Sequence, residues 1–214
     1  MKKLIAEYLG TALLLLAIVG SGRMASSLTE DIALQLLLNA ISASLMLLVI
    51  INLFSSVSGA HFNPVVSLFQ IITRDIDLIT GLKYILAQLL GAISGTIMAN
   101  AMFESALVSI STYERFRSGT FIGELVATFG LILVVALKSD RVGVMVPAWI
   151  GSAYFFTSST AFANPAVTLG RIFTDSFAGI APISVIGFIG AQLLALVIAY
   201  LFLPALTDKN ESDE

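Results

Sequence analysis

The longest charge-free stretch of the sequence limits the possible folds more than any other feature. Residues 32–73 contain no Asp, Glu, Lys or Arg. As one straight α-helix this stretch would measure about 63 Å, roughly twice the hydrocarbon thickness of a bilayer. The chain must therefore turn back within it, and residues that interrupt helices mark the place. These residues are Ser55, Ser56, Ser58, Gly59 and Pro64.

A second run, residues 142–170, has the same form. An apolar segment is followed by Ser158, Ser159, Thr160 and Pro165. After the two breaks, residues 64–73 and 165–174 each supply about 15 Å of helix, half a bilayer. Two such half-helices meeting end to end would complete one span. Because non-helical backbone at membrane depth must be buried in protein or reached by water, we expect a water-filled path beside them.

Composition places the chain in a membrane. Hydrophobic residues make up 57% and charged residues 12%, and the mean hydropathy is +0.97. A domain this small could not dissolve in water with so few charges. The net charge of −3 provides no basic surface for nucleic acid, and the absence of cysteine excludes disulfides and thiolate chemistry.

Counting charge-poor stretches predicts an all-α membrane fold with six transmembrane helices and two re-entrant half-helices. Four spans lie in residues 4–22, 84–103, 118–137 and 176–207, the last trimmed by Pro182 and Pro204. The first parts of the two longer runs supply the other two spans. We expect no cleavable signal, because the first span carries a Glu and lacks a small-residue cleavage site.

The two halves of the sequence repeat each other. Three groups of residues recur: Ile5-Ala6-Glu7 as Ile122-Gly123-Glu124, Asn63-Pro64 as Asn164-Pro165, and Ala87-Gln88-Leu89-Leu90 as Ala191-Gln192-Leu193-Leu194. Each half holds three full spans, an odd number, so the second half must enter the membrane from the opposite side. The predicted organisation is a first inverted repeat (1–103), an external connector (104–117), a second repeat (118–207) and a cytoplasmic tail (208–214). Such repeats place the substrate path at their interface near the membrane centre.

The duplicated Asn-Pro pairs determine which solutes the membrane centre favours. Asn is a favoured N-cap and Pro a favoured first helical residue, so each pair begins a half-helix. Both helices then point the positive end of their dipole at the membrane centre, where the two ends repel cations. The Asn amides can still donate to a passing oxygen, which favours neutral solutes with hydroxyl groups.

These motifs resemble the aquaporin (major intrinsic protein) family along essentially the whole chain. The resemblance rests on residues 59–65 (Gly-Ala-His-Phe-Asn-Pro-Val), residues 163–166 (Ala-Asn-Pro-Ala) and the paired Glu spans. It implies a homotetramer with one pore per subunit and passive flow of water or small uncharged solutes. It implies no enzyme activity, cofactor or metal site.

The sequence departs from the family pattern at several pore positions. Asn63 and Pro64 are followed by Val65, whereas Asn164 and Pro165 are followed by the usual Ala166. By family spacing the narrow filter falls on four small or apolar uncharged residues, and Val167 stands where an Arg is usual. The four positions are Ala43, Ser152, Ala161 and Val167. A wide, neutral filter of this kind would pass glycerol-like polyols or arsenite-like metalloids, and it resembles a bacterial branch associated with arsenic resistance.

Four other residues are candidates for function. Arg171 lies four residues after Val167, where it either supplies a positive charge at the outer vestibule or reaches the lipid headgroups. Glu7 and Glu124 are acids inside spans, and in the family such acids brace the re-entrant loops. For Glu7 near the chain start, reaching the interface is the alternative. The only histidine, His61, is expected to brace the first pair rather than act as a pH gate.

Basic residues set the expected orientation in the cell membrane. With both termini in the cytoplasm, the inner side holds Lys2, Lys3, Arg74, Lys83, Lys138, Arg141 and Lys209. The outer side then holds Arg23, Arg115, Arg117 and Arg171. The excess of inner charges favours this orientation. An ion-coupled secondary transporter and a scaffold of low permeability remain as alternative functions, and an intramembrane protease lacks its reactive groups.

Overall fold

The computed structural model describes residues 1–137 and 140–207. The predicted tail, residues 208–214, and the charge at Lys138 therefore lie outside the described residues. The described part of the chain contains eight α-helices. They are α1 (Lys2–Leu28), α2 (Ile32–Ser58), α3 (Pro64–Ile72), α4 (Leu78–Met102), α5 (Ser118–Ala136), α6 (Val142–Phe156), α7 (Pro165–Gly170) and α8 (Pro182–Phe202). Short 3-10 turns at Arg171–Phe173 and Leu203–Ala205 follow α7 and α8.

Five helices are long and apolar enough to cross a membrane: α1, α2, α4, α5 and α8. The sixth long element, α6, is also apolar but has 15 residues, about 22 Å, so by itself it is shorter than a bilayer core. The all-helical membrane fold is therefore confirmed. Of the six predicted transmembrane helices, α6 is shorter than the other five.

The predicted break in the charge-free run lies at Gly59. Helix α2 continues through Ser55 and Ser56 and ends at Ser58, because Gly59 takes a left-handed conformation with φ 91°. This backbone geometry costs glycine no steric clash and stops the helix. After a short loop, α3 begins at Pro64 with Asn63 as its N-cap. The α3 half-helix ends at Ile72, close to its predicted end at residue 73.

The second half-helix is shorter than predicted. Asn164 caps α7 and Pro165 is its first residue, but the α-helical part ends at Gly170 and a 3-10 turn completes it. The two half-helices contact each other and lie between the packed long helices.

The long helices pack in the order of the two repeats. In the first half α1 contacts α2 and α4, in the second α5 contacts α6 and α8, and α2 meets α6 across the two halves. Two glycines allow the close approach of α1 and α4. A Cβ added at Gly91 would lie 2.3 Å from the Tyr8 carbonyl oxygen, and one at Gly95 would lie 2.1 Å from that of Ala12. Only residues without a side chain fit there.

Candidate functional site

The two Asn-Pro pairs meet at the centre of the molecule and bind each other. Each Asn side-chain oxygen caps its own half-helix: that of Asn63 accepts from Val65 N at 3.0 Å, and that of Asn164 from Ala166 N at 2.9 Å. Each side-chain amide then crosses to the opposite loop. Asn63 Nδ2 donates to the Ala163 carbonyl at 2.7 Å, and Asn164 Nδ2 donates to the loop residue that precedes Asn63 at 2.9 Å. The half-helices are therefore joined end to end, as predicted.

Glu7 holds the loop before the first Asn. It is fully buried, and its carboxylate accepts hydrogen bonds from His61 N at 3.0 Å, Phe62 N at 2.7 Å and the Ser58 hydroxyl at 2.6 Å. The Glu7 side chain therefore does not reach the membrane surface.

Glu124 holds the second loop in the same way. It is fully buried and accepts from Phe162 N at 2.8 Å and Ala163 N at 2.9 Å. A carboxylate that accepts several hydrogen bonds is the arrangement expected for bracing a loop, since both oxygens are occupied.

Two glutamines complete these networks, and the sequence interpretation gave them no role. Gln88 Nε2 donates to the Glu7 carboxylate at 2.8 Å and to the Ser67 hydroxyl at 2.9 Å. The signal for them was present, because Gln88 belongs to a duplicated Ala-Gln-Leu-Leu sequence.

The second repeat makes the equivalent bonds. Gln192 Nε2 donates to the Glu124 carboxylate at 2.6 Å and to the Thr168 hydroxyl at 3.0 Å. Each buried carboxylate is thus linked both to a re-entrant loop and to a half-helix.

The braced loops have unusual backbone geometry. Five residues in them have positive φ without being glycine: Ala60, Phe62, Thr160, Ala161 and Ala163, with φ from 47° to 62°. Such conformations are uncommon for residues with a side chain and cost free energy. The hydrogen bonds from the loop amides to the two carboxylates offset this cost, which explains why charged acceptors are buried at these places.

A cavity of about 90 Å³ runs beside the junction. One buried water needs roughly 10–15 Å³ of such volume, so the cavity has room for several waters. Its wall is mainly aliphatic, with side chains such as Leu14, Leu47, Ile51, Val66 and Val146. The polar groups of the wall come from Asn63, Asn164, His61, Gln70, Tyr154 and Arg171.

Three of the four predicted filter residues line this cavity: Ala43, Ala161 and Val167. Ser152 does not. Its side chain is exposed, and the cavity face of α6 carries Ile150 and Tyr154 instead.

The helical period explains the error at Ser152. Positions 142, 146, 150 and 154 line the cavity at intervals of four, so position 152 points to the opposite side of α6. The prediction counted residues back from Asn164, and this count takes no account of how the segment between α6 and Asn164 folds. Ser152 therefore lies outside the cavity wall, and Ile150 and Tyr154 are the neighbouring α6 residues within it.

His61 lies beside the first Asn-Pro pair and lines the cavity. Its Nδ1 is 3.0 Å from the Ser67 hydroxyl oxygen, and its ring meets that of Tyr84 edge-on with centroids 5.2 Å apart. The imidazole is thus held by a hydrogen bond and a ring contact.

Arg171 is buried in the cavity wall, with 2% of its surface exposed. The side chain therefore does not reach the lipid headgroups, which was the alternative. Its guanidinium lies 3.5 Å from the centroid of the Phe162 ring, and Nε donates to the Ala178 carbonyl. Nη1 is buried and has no hydrogen-bond partner.

A second guanidinium approaches the same ring from the connector. Arg115 lies 5.6 Å from the Phe162 centroid and donates to the Gly179 and Phe177 carbonyls, each at 2.6 Å. Burial lowers the pKa of Arg115, while the nearby Tyr113 and Tyr154 raise it. Sequence reasoning gave Arg115 no role, because nothing local indicates that the connector folds back onto the half-helix.

Comparison with known proteins agrees with this geometry. A sequence model of the family described as Major intrinsic protein matches residues 1–161. The chain is 42% identical to Aquaglyceroporin AqpS of Rhizobium meliloti over 202 residues, 92% of this chain and 87% of that protein. It is 30% identical to Aquaporin TIP1-1 of Arabidopsis thaliana over 188 residues, 79% of this chain and 74% of that protein.

A solved structure has the same fold. The X-ray structure of the aquaglyceroporin from Plasmodium falciparum superposes with a TM-score of 0.74, covering 96% of each chain at 22% identity. The resemblance that the two Asn-Pro pairs indicated is therefore confirmed: the chain belongs to the major intrinsic protein family.

Proposed function

We propose that this protein conducts water and small uncharged hydroxylated solutes passively through the cavity beside the half-helix junction. The observation that carries the proposal is the pair of crossed amides. An amide NH₂ group has two hydrogens, and the protein bonds that fix Asn63 and Asn164 each use one. The second hydrogen of each is free for the oxygen of a molecule that passes through the apolar cavity.

The electrostatics favour neutral passengers. The positive ends of α3 and α7 point at the same place, and the wall of the cavity, as far as the structure describes it, contains no acidic side chain. A cation entering there loses water of hydration and finds no counter-charge.

The same observations count against an ion-coupled transporter. Such a protein needs a carboxylate free to bind or release ions near the membrane centre. Glu7 and Glu124 both use their oxygens to hold loops. Membership of the family also places the chain among channels and not among enzymes.

Solute size is the finer part of the proposal. Ala43, Ala161 and Val167 give the filter small side chains, which supports passage of molecules larger than water. The relative from Rhizobium meliloti is named an aquaglyceroporin. We propose glycerol-like polyols and, because arsenous acid is likewise a small neutral trihydroxy compound, arsenite-like metalloids.

Assembly and orientation complete the proposal: a homotetramer in the cell membrane with both termini in the cytoplasm. Large apolar side chains exposed along the long helices, such as Ile41, Leu45, Val49 and Ile186, support contact with lipid or a second subunit. Arg171 and Arg23, two of the four basic residues on the proposed outer side, form hydrogen bonds within the protein. Fewer basic residues are then free in the outer loops, which supports an excess of positive charge on the inner side.

Flux through purified protein in proteoliposomes tests the proposal. Stopped-flow light scattering would measure water, glycerol and arsenite entry on the same vesicles. We expect flux that is linear in the solute gradient and unaffected by ion gradients. Accumulation of a solute against its gradient would instead show a transporter, and vesicles no more permeable than empty liposomes would show a scaffold.

Val167→Arg tests the assigned filter position. The added guanidinium narrows the cavity, so we expect glycerol flux to fall more than water flux. Ser152→Ala, outside the cavity wall, is the control and should change neither flux. Equal losses of water and glycerol in Val167→Arg would contradict the assignment of Val167 to the constriction.

A further inference from the structure

We propose that Arg171 is the solute-selecting residue of this filter, one helical turn further from the membrane centre than Val167. In this site Nη2 of Arg171, which makes no hydrogen bond within the described residues, donates a hydrogen bond to a hydroxyl oxygen of the permeating solute, and the guanidinium charge excludes cations. The inference rests on the proposed channel function and assigns that function to a residue.

Position is the first argument. Arg171 follows Val167 by four residues, so it lies on the same face of the half-helix about 6 Å further along its axis. Both residues line the cavity. A molecule that passes the small filter residues therefore also passes the guanidinium.

The orientation of the guanidinium is the second argument. The Phe162 ring beneath it and the Ala178 carbonyl at Nε fix its plane. Nη1 is enclosed by protein, whereas Nη2 makes no hydrogen bond within the described part of the chain and is not enclosed. A buried donor without a partner is costly. An oxygen of water or solute in the cavity removes that cost for Nη2, which makes Nη2 a binding point and not only a structural contact.

Charge is the third argument. Arg115 brings a second guanidinium to the same Phe162 ring, held by backbone carbonyls. The buried carboxylate of α5 that holds this loop, Glu124, is occupied by Phe162 N, Ala163 N and Gln192. The opening therefore presents donors and positive charge, which suits a neutral polyhydroxy compound and repels cations.

The repeat shows that this charge is not needed for the half-helix itself. By the spacing of the two Asn-Pro pairs, Arg171 corresponds to Gln70 of α3, and Gln70 also lines the cavity. A half-helix with Gln at this place folds in the same protein. Arg171→Gln is therefore the substitution that removes the charge with the least disturbance.

The alternative is a purely structural role, in which the hydrogen bond from Arg171 to the Ala178 carbonyl only holds the 3-10 turn in place. A purely structural tie would not affect ion selectivity. The experiment therefore measures glycerol and water entry, together with collapse of a pH gradient in proteoliposomes containing an internal pH dye and clamped by potassium and valinomycin. The variants are Arg171→Gln, Arg171→Lys, the double variant Val167→Arg/Arg171→Gln, and the control Arg117→Gln, an exposed residue outside the cavity wall.

We expect the proton leak of Arg171→Gln to exceed that of the native protein at least about tenfold, with the ratio of glycerol to water flux reduced severalfold. Arg171→Lys keeps the charge and should keep the leak low. The double variant returns a guanidinium to the cavity and should restore cation exclusion. Arg117→Gln should behave as the native protein.

Each result has a separate meaning. A folded Arg171→Gln with native leak and native flux ratio would overturn the inference, as would an Arg171→Lys that leaks as much as Arg171→Gln. Absence of water and glycerol flux in the native protein would refute the proposed function instead. The leak comparison then still shows whether Arg171 excludes cations, because it does not depend on glycerol flux, whereas the role of Arg171 in solute selection falls with the channel function.

Discussion

Replacing Glu124 with Gln tests whether a buried charge holds the second re-entrant loop. The carboxylate of Glu124 accepts three hydrogen bonds, from Phe162 N at 2.8 Å, Ala163 N at 2.9 Å and Gln192 Nε2 at 2.6 Å. An amide of the same shape offers one oxygen and one NH₂ group. Its oxygen replaces one carboxylate oxygen, but its NH₂ group must then face at least one of these donors.

The structure gives the size of the effect. A hydrogen bond to a charged group contributes about 1.5–3 kcal/mol, and a buried donor left without a partner costs about 1–3 kcal/mol. Losing one bond and leaving one donor unpaired therefore lowers the free energy of unfolding by about 2.5–6 kcal/mol. For a chain of this length, each kcal/mol corresponds to about 2–4 °C in melting temperature. We expect a drop of roughly 5–25 °C.

The effect on function follows from the loop. Thr160, Ala161 and Ala163 have positive φ in the loop that the carboxylate stabilises, and Asn164 follows directly. A shifted loop moves the amide that lines the junction, so glycerol flux should fall severalfold. The measurements are the melting temperature of the purified protein in detergent and stopped-flow glycerol entry.

Glu114→Gln is the matched control. It makes the same chemical change at an exposed residue of the connector, and we expect it to leave both measurements unchanged. If Glu124→Gln kept the native melting temperature and the native flux, the reasoning that this charge braces the loop would be refuted.

Two further predictions concern helix packing and the junction. Gly95→Ala places a Cβ 2.1 Å from the backbone oxygen of Ala12, so it should destabilise the protein by about 1–3 kcal/mol, whereas Gly190→Ala meets nothing within 4 Å and should raise stability by up to about 1 kcal/mol through helix propensity. Melting temperatures of both variants decide this, and equal shifts would contradict it. Asn164→Asp keeps the cap of α7 but loses the amide that donates to Phe62 O and adds a negative charge at the junction. We expect the proton leak of the reconstituted variant to rise, measured with an internal pH dye, and a native leak would count against the junction as the barrier to protons.

The features that the sequence predicted well are those set by long-range periodicity. A charge-free run too long for one helix required a turn, and Gly59 provides it. The family resemblance implied that Glu7 and Glu124 brace the re-entrant loops, and both carboxylates accept hydrogen bonds from loop amides at matching places in the two repeats. Such features depend on spacing repeated over the whole chain, so small local shifts do not affect them.

The details that failed depend on local geometry across a loop. Ser152 was assigned by counting residues back from Asn164, but the direction of a side chain on α6 depends on where that helix ends and how residues 157–163 turn. One residue changes a helical direction by about 100°, so an error of two residues moves a side chain to the opposite face. The burial of Arg171 could not be predicted from the sequence either, because the Phe162 ring and the Ala178 carbonyl that contact it come from separate loops.

The two repeats match in framework and differ in the groups that face the cavity. Position by position, His61 and Gln70 in the first repeat correspond to Phe162 and Arg171 in the second, and all four line the cavity. The capping and bracing bonds are shared, because both half-helices need them to exist at membrane depth. The cavity-facing side chains are free of that requirement. One end of the cavity is therefore neutral and the other carries a guanidinium on an aromatic ring, so selection by charge belongs to the second half-helix while both halves contribute equally to the junction.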